Sequence, residues 1–258
     1  MKRVTIIKIG GNIVDKPDAL QYFLNNFQKY DGPKVLIHGG GAIATQLSKE
    51  LGIEVKMHKG RRITDEATLK LVTMVYAGLI NKQIVASLQK IGCNALGLSG
   101  ADGDCVPATK RKASSIDWGF VGDVDPKKIN VSLLHSLLAK GITPVFCAIT
   151  HDGNGSLLNT NADTMASSIA IALASEYYVR LVYCFEKDGV LSDPNDNDSV
   201  IPLITRNSYS QLLDEGKVVD GMIPKLDNAF LALKEGVAEV IIKHADNLLN
   251  DRETLLKL

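Results

Sequence analysis

The stretch Val4-Thr-Ile-Ile-Lys8-Ile-Gly10-Gly11 decides the fold, because it joins an apolar run to a glycine turn. The run is typical of a strand covered on both faces, and glycine lets the backbone approach a ligand closely. Lys8 places a fixed cation beside free backbone N–H groups, which suits a phosphate. A counterpart, Lys225, ends the motif Asp220-Gly-Met-Ile-Pro-Lys225. Either lysine alone is typical of a solvated surface group, but the pair indicates a site that handles phosphate.

Short apolar runs rich in Val and Ile recur along the chain, and segments long enough for a helix separate them. This alternation predicts an α/β architecture with a mostly parallel sheet. The predicted strands are residues 4–9, 35–37, 95–98, 143–149, 178–185 and 237–242. The predicted helices are residues 18–29, 42–51, 65–91, 131–139, 162–174, 208–215 and 221–235, and Asp65 is a plausible cap for the third.

Two stretches break this rhythm. Residues 53–64 alternate apolar and charged side chains around Lys59-Gly60, which predicts a β-hairpin, and residues 102–123 favour short strands and turns. Either could form a lid over a site. We expect a change of role near residue 175: the earlier segments contain the hairpin and one glycine turn, and the later ones form a separate set of strands and helices.

The composition narrows the class of partner. The formal charge is zero, from 29 basic and 29 acidic residues, so the sequence shows no electrostatic footprint for nucleic acid or an anionic membrane. No signal peptide and no apolar run of membrane-spanning length are apparent. The four cysteines are dispersed, which predicts reduced packing residues. We expect a cytoplasmic protein that acts on a small molecule.

A second glycine turn, His38-Gly39-Gly40-Gly41, lies between a predicted strand and a predicted helix. Its amides and the helix N-terminus would form an anion site; the alternative is a tight turn. The spacing matches neither the dinucleotide fingerprint nor a Walker A loop. The five histidines have no metal-ligand spacing, so we expect them to be structural and predict no metal ligand.

Arg62 and Asp163 complete the candidate site. Arg62 could bind a carboxylate through two hydrogen bonds, while Arg61 would point to the other side of the strand; alternatively, both are solvated. Asp163, in Asn159-Thr-Asn161-Ala-Asp163, could cap the next helix, orient the two lysines, or do both. Together with the lysines and glycine turns, these residues indicate phosphoryl transfer.

These motifs resemble those of the N-acetylglutamate kinases in the amino acid kinase superfamily. The resemblance spans nearly the whole chain and rests on Lys8-Ile-Gly10-Gly11-Asn12, His38-Gly-Gly-Gly41, Gly60-Arg-Arg62-Ile-Thr64, Asn81-Lys82, Leu158-Asn159-Thr-Asn161-Ala-Asp163 and Gly221-Met222-Ile-Pro-Lys225. The glycine motifs are shared with aspartate, carbamate and uridylate kinases. The combination of Arg62, Asn159 and Asp163 is narrower.

The resemblance implies a three-layer α/β sandwich with an open, mainly parallel eight-stranded central sheet, in a single domain of residues 1–258. A lobe of about residues 1–175 would bind the acyl-amino-acid and form a homodimer, and a lobe of about residues 176–258 would bind ATP with Mg²⁺. The reaction would transfer the γ-phosphoryl group to the side-chain carboxylate of N-acetyl-L-glutamate, a step of arginine biosynthesis. That carboxylate is already ionised at neutral pH, so no general base is needed.

The resemblance also implies a role for each matching residue. Lys8 and Lys225 would stabilise the transition state, and Asp163 would organise them. Gly10 and Gly11 would bind the phosphoryl group. The acyl-amino-acid would bind to Gly40, Gly41, Arg62 and Asn159. The nucleotide would bind to Gly189, Val190, Leu191, Gly221 and Met222.

The chain departs from the family pattern in three places. Phe185-Glu186-Lys187 replaces the usual Thr-Asp-Val of the nucleotide segment. After residues 237–242 the chain lacks the Gly-Thr stretch that often closes the family's last strand. The first strand begins at once, without the N-terminal helix associated with hexamers inhibited by arginine, so we expect an arginine-insensitive homodimer.

Two questions about the function stay open at this level. The acceptor could be another carboxylate or a carbamate, and a relative without catalytic activity is a further alternative. The acyl group could also be larger than acetyl. A succinyl group has a carboxylate of its own, which one of Lys56, Lys59 or Arg61 could bind.

Overall fold

The computed structural model describes residues 2–58, 60–113, 115–193, 195–216 and 222–258. Its helices are α1 (Gly11–Val14), α2 (Pro17–Lys29), α3 (Gly41–Glu50), α4 (Glu66–Thr73), α5 (Asn81–Lys90), α6 (Val131–Ala139), α7 (Ala162–Leu173), α8 (Arg206–Asp214) and α9 (Ile223–Lys234), with a π-helical segment at Met74–Ile80 and 3₁₀ turns at Asp102–Asp104, Pro126–Lys128 and Ala245–Asn247. Its strands are β1 (Lys2–Ile9), β2 (Lys34–His38), β3 (Met57–His58), β4 (Arg61–Arg62), β5 (Ala95–Leu98), β6 (Ala108–Lys110), β7 (Gly122–Val124), β8 (Thr143–Cys147), β9 (Ile149–His151), β10 (Leu157–Asn159), β11 (Tyr177–Phe185), β12 (Leu203–Thr205), β13 (Glu239–His244) and β14 (Glu253–Lys257).

Within the described residues, the central sheet has eight strands in the order β12-β14-β13-β11-β1-β2-β8-β5. Every neighbouring pair is parallel except β13 and β14. The predicted eight-stranded, mainly parallel sheet is therefore confirmed. Three two-stranded hairpins, β3–β4, β6–β7 and β9–β10, lie beside it.

Helices cover both faces of the sheet. Along β1, Val4 and Ile6 pack into one hydrophobic cluster, which includes residues of α6 to α9. Ile7 and Ile9 pack into the other, which includes residues of α1 to α5. This alternation follows from the two-residue period of a strand, and each fully buried aliphatic side chain contributes on the order of 2 kcal/mol. The predicted three-layer sandwich is confirmed.

The segment Glu66–Lys90 is one continuous helical run from α4 through the π-helical residues to α5. By length and composition it is the one helix among the described residues that could cross a membrane, although no apolar run of that length was expected. Its residues Leu71, Ile80 and Leu88 are buried in the same cluster as Leu36 of β2. Their packing is that of a helix in a protein core.

The structure differs from the predicted elements mainly at short strands. Residues 143–149 form two strands, β8 and β9, that are separated at Ala148. The strands β10 and β12 were not predicted, because three residues carry too little periodicity. At the end of the chain, β14 was not among the predicted strands; it pairs antiparallel with β13, and its Thr254 and Leu256 are buried. The predicted hairpin in residues 53–64 and the short strands in residues 102–123 are confirmed.

His38, at the end of β2, links three parts of the core. Its Nδ1 donates to the carbonyl oxygen of Gly39 at 2.8 Å, and its Nε2 accepts from Asn81 Nδ2 at 3.1 Å. The same amide donates to the carbonyl oxygen of Val145 at 2.9 Å. Burial lowers the pKa of His38 to about 4, so the ring is neutral at pH 7. The expectation of a structural role fits these contacts.

We expect stability to fall in acid because of His38. A histidine in the unfolded chain has a pKa near 6.5, so as the pH falls the unfolded chain binds this proton before the folded protein does. The contribution of His38 to stability is therefore complete above pH 6.5 and is lost as the pH falls towards 4. Between pH 7 and pH 5 this group alone should lower the free energy of unfolding by about 2 kcal/mol. Urea unfolding of the wild type and of His38→Gln at both pH values tests this. Equal losses in the two proteins would show that His38 is not responsible.

Candidate active site

Lys8 lies at the carboxyl edge of β1 and faces the layer of α6 to α9. It shares this face with Val4 and Ile6, because alternate residues of a strand point the same way. The lysine is only 7% exposed, and its Nζ is 2.7 Å from Oδ1 of Asp163 in the first turn of α7. The carboxylate compensates for the cost of burying the cation.

Asp163 is free to make this contact because another residue caps its helix. Asn161 precedes α7, and its side chain accepts from the backbone N–H of Thr164 at 3.0 Å. The interpretation of Asp163 as a helix cap is therefore wrong. Asp65, by contrast, caps α4 as predicted, by accepting from the N–H of Thr68 at 2.8 Å.

Lys225 approaches the same place from the first turn of α9. Its Nζ is 3.9 Å from the centroid of the Phe185 ring, and the Nζ of Lys8 is 5.6 Å from the same centroid. Burial lowers the pKa of Lys225, and the nearby Lys8 adds to this, while Asp163 and Glu186 act in the opposite direction. Two lysines, a carboxylate and an aromatic face thus form one cationic centre at the end of β1 and β11.

Gly10 and Gly11 follow β1 directly and begin α1 beside this centre. Gly10 precedes the helix in an extended conformation, and Gly11 is its first residue. The first backbone N–H groups of a helix have no acceptor within it. The described strands β1, β2, β8, β11 and β13 are parallel, so their carboxyl ends share this edge of the sheet, where ligands of open α/β sheets bind.

A cavity of about 190 Å³ lies next to the glycine turn 39–41. Gly40 is required here, because a Cβ atom would be 2.3 Å from Cδ1 of Ile80 and 3.0 Å from Cδ1 of Tyr76. The turn thus packs directly against the π-helical segment. Gly41, the first residue of α3, also borders the cavity.

Arg62 is buried in the wall of this cavity. Its Nη2 donates to the carbonyl oxygen of Gly41 at 3.0 Å and to Oγ1 of Thr45 at 2.7 Å. Its Nη1 is buried and has no hydrogen-bond partner among the described residues. A buried guanidinium with an unused donor is suited to bind an acidic ligand group.

Asn159 lies at the end of β10 and borders the same cavity. Its Nδ2 donates to Oγ1 of Thr64 at 3.0 Å, and its backbone N–H donates to the carbonyl oxygen of Phe120 at 2.9 Å. These bonds join β10 to the hairpin β3–β4 and to the segment before β7. The structure thus brings Gly40, Gly41, Arg62 and Asn159 together, as their predicted common role requires.

Two residues at this cavity, Arg111 and Trp118, were not predicted as site residues. Arg61 borders it as well as Arg62, although the two side chains alternate in burial as predicted. Arg111 and Trp118 also line it, and Trp118 was expected only to pack or to support a hairpin. The basic run Lys110-Arg-Lys112, within a segment expected to form a lid, could have drawn attention to Arg111.

The segment Gly189-Val190-Leu191 packs against the last strand. The N–H of Val190 donates to Oγ1 of Thr254 at 2.8 Å, and a Cβ on Gly189 would be 2.4 Å from the same oxygen. Val190 and Leu191 are buried. Contact between these residues and a nucleotide stays a prediction, because their position shows only that they anchor the segment.

A second cavity lies beside that segment, at the carboxyl ends of β11 and β13. Glu186, Lys187 and Asp188 line it together with His244 and Asn247. Asn247 donates to Asp188 through its side-chain amide, at 2.5 Å. Met222 immediately precedes α9 and is half-buried, while Gly221 lies outside the described residues.

The amino acid kinase family model matches residues 3–244 of the chain. An acetylglutamate kinase from Cytophaga hutchinsonii is 54% identical over 99% of this chain and 97% of its own length. One from Bacteroides thetaiotaomicron is 52% identical, with 99% of both proteins covered. Among solved structures, that of smu.665 from Streptococcus mutans UA159 has a TM-score of 0.80 at 28% identity and covers 98% of both chains.

The chain therefore belongs to the amino acid kinase family, whose fold it has. Within that family, the similarity over nearly its full length is to acetylglutamate kinases. The resemblance drawn from the motifs is confirmed.

The position of Phe185 beside both lysines leads to a test. We expect Phe185→Leu to lower the kcat of the kinase about 3- to 10-fold, because it keeps an apolar side chain but removes the aromatic face that orients Lys225. The KM for the acceptor should change little. Steady-state kinetics should also show that Phe185→Tyr, which keeps the aromatic face, has nearly the kcat of the wild type. Tyr178→Leu, which removes an aromatic face from Arg3 at the other end of β11, is the control. Unchanged kcat in Phe185→Leu would contradict this role.

Proposed function

We propose that Lys8, Lys225 and Asp163 form the catalytic centre of a kinase that transfers the γ-phosphoryl group of ATP to the side-chain carboxylate of N-acetyl-L-glutamate. The products are an acyl phosphate and ADP, in a step of arginine biosynthesis. The observation that carries the proposal is the convergence of both lysines on one edge of the sheet, beside a cavity with a buried arginine.

The two lysines act by electrostatic stabilisation. Negative charge is distributed over the phosphoryl oxygens and the leaving oxygen during transfer, and fixed cations stabilise it most where water is excluded. Lys8 pairs with Asp163, which follows the cavity-lining Ala162 in α7, and Lys225 extends from α9 and lies near Glu186. The backbone N–H groups of Gly10 and Gly11 add donors at the same edge.

Asp163 has an organising role. It holds the Nζ of Lys8 at 2.7 Å and lies close enough to Lys225 to affect its pKa. The acceptor carboxylate, with an ordinary pKa near 4, is already a nucleophile at neutral pH. Asp163 therefore does not need to remove a proton from the substrate.

The cavity provides the acceptor site. The unused Nη1 of Arg62 is suited to the α-carboxylate of the acyl-amino-acid, and Asn159 to its neighbouring polar groups. The N–H groups at the start of α3, near Gly40 and Gly41, are further donors. All residues that line this cavity lie between Gly39 and Ala162, which supports an acceptor lobe of about residues 1–175.

The nucleotide would occupy the other lobe, of about residues 176–258, near the cavity that Glu186 and Asp188 line. Gly189, Val190 and Leu191 would support that site from behind, and Gly221 and Met222 would contribute from the start of α9. Among the described residues, no group of three or more His, Cys, Asp or Glu side chains could hold a metal ion. Mg²⁺ would thus enter with ATP, bound by the phosphates as is usual for this ion.

Two further parts of the proposal concern the state of the protein in the cell. We propose a homodimer and a cytoplasmic location, as the sequence led us to expect. Met74 and Leu79 are exposed on the long helical run Glu66–Lys90, which is consistent with a subunit contact on that surface.

The activity can be tested with purified protein, ATP and Mg²⁺. Hydroxylamine traps acyl phosphates as hydroxamates, so N-acetyl-L-glutamate should give a hydroxamate and an equal amount of ADP. If no N-acyl-L-glutamate gives a hydroxamate, the proposed reaction is wrong. ADP formation with another carboxylate or a carbamate would then favour a different kinase of the family, and no turnover with any acceptor would favour a non-catalytic relative.

We expect Lys8→Ala to lower kcat on the order of 10² or more, since it removes a charge that acts mainly in the transition state. Lys225→Ala should have a similar effect. The exposed Lys90, far along α5, provides a matched control as Lys90→Ala, which should leave kcat unchanged. Full activity in Lys8→Ala would contradict the assignment of the catalytic centre.

Arg62→Ala should act on substrate binding instead. Loss of a charge-assisted hydrogen bond should raise the KM for the acyl-amino-acid about 10- to 100-fold, with a smaller effect on kcat and on the KM for ATP. Initial rates measured over both substrate concentrations separate these effects. A change confined to the KM for ATP would place Arg62 in the wrong site.

A further inference from the structure

The acceptor cavity has more positive charge than N-acetyl-L-glutamate requires. Three arginines, Arg61, Arg62 and Arg111, line it, and none of its lining residues that the structure describes is acidic. N-Acetyl-L-glutamate has two carboxylates, of which one reacts beside Lys8 and the other is assigned to Arg62. Its acetyl group is uncharged, so Arg61 and Arg111 would have no acidic partner on the substrate.

Arg111 is held in a fixed position at the cavity. Its Nε donates to both carboxylate oxygens of Asp123, at 3.0 and 3.1 Å, and its Nη2 also donates to Asp123. The centre of its guanidinium lies 5.3 Å from the centroid of the Trp118 ring. The Nη1 group is not used by Asp123, so a preorganised donor remains at the cavity wall.

Arg61 differs from the other basic residues of its hairpin. Its side chain is exposed at the cavity and has no hydrogen bond or ion pair within the described part of the chain, while its backbone pairs with β3. Lys56 is paired with Glu54 at 3.2 Å and does not line the cavity, so the hypothesis that Lys56 binds the acyl group is not supported. Lys59 lies outside the described residues. Among the described basic residues of this hairpin, Arg61 is therefore the one with a free charge at the cavity.

We propose that the preferred acceptor is an N-acyl-L-glutamate whose acyl group ends in a second carboxylate, such as N-succinyl-L-glutamate. This inference rests on the proposed function and specifies its substrate. The distal carboxylate binds between Arg61 and Arg111. Met57 and Trp118, which also line the cavity, provide apolar surface for the methylene groups. The phosphoryl transfer itself is unchanged: the γ-carboxylate attacks the γ-phosphorus, and the bond to the ADP oxygen breaks.

The test compares kcat/KM for three acceptors with the wild-type protein: N-acetyl-, N-succinyl- and N-succinamoyl-L-glutamate. The last has the shape of the succinyl compound but an uncharged amide in place of the distal carboxylate. We expect N-succinyl-L-glutamate to exceed both others by about tenfold or more, the effect of a charge-assisted contact. Equal values for the succinyl and succinamoyl compounds, or a preference for acetyl, would overturn the inference while leaving the kinase activity established. Absence of hydroxamate from all three would instead refute the proposed function.

Substitutions at the cavity test which residues bind the distal carboxylate. Arg111→Gln and Arg61→Gln should each reduce the preference for succinyl over succinamoyl by about tenfold. Arg3→Gln removes one exposed positive charge at the other end of β1 and should leave the preference unchanged. A preference that survives loss of both cavity arginines would show that they do not bind the acyl group. The same conclusion would follow if Arg3→Gln lowered the preference as much as Arg61→Gln and Arg111→Gln do.

Discussion

The buried ion pair between Lys8 and Asp163 is the constraint on which the active site depends. An isolated cation at the end of a central strand would be too costly to bury, so a carboxylate must lie beside it. The chain does this by bringing the first turn of α7 to the edge of β1, where Asn161 caps the helix and leaves Asp163 free. Lys225 and Phe185 then complete the centre on the same face of the sheet.

The two regions on either side of this centre, at the carboxyl edge of the sheet, have different charged side chains. On the side of the proposed acceptor site, the glycine turn 39–41 and the hairpin β3–β4 border a cavity with arginines and, among its described lining residues, no acidic one. On the other side, Glu186 and Asp188 line a second cavity with Lys187 and His244. Lys8 pairs with Asp163, which follows the first cavity's Ala162, and Lys225 lies near Glu186 of the second, which fits the proposed path of a phosphoryl group between two substrates. The neutral total charge of the chain conceals this local separation of charge.

Much of this could be predicted from the sequence, because long apolar runs and glycine turns act locally. The apolar run that ends at Lys8 predicted a buried strand, and the glycines after His38 predicted an anion site or a tight turn between a strand and a helix. Short elements such as β12 could not be found, since three residues show no period. Asp163 was considered as a cap of α7 because spacing alone does not show which of two acceptors, Asn161 or Asp163, reaches the helix N–H groups.

The contributions of Phe185 and Arg111 depend on contacts between distant segments, which explains why the sequence did not reveal them. Phe185 could be recognised only as a departure from the family pattern, and its place beside both lysines required the register of β11 against β1. Arg111 reaches the acceptor cavity because β6 and β7 pair and Asp123 lies opposite its chain segment. Neither relation is encoded in local periodicity.

A double-mutant cycle on kcat with Lys8→Met, Asp163→Asn and the combined variant tests most directly whether Lys8 and Asp163 act as a unit. If Asp163 works by holding Lys8, the combined variant should lose little more activity than Lys8→Met alone, so the two effects should be strongly non-additive. Losses that simply multiply would show that the two residues act independently, and would contradict the central place given to their ion pair.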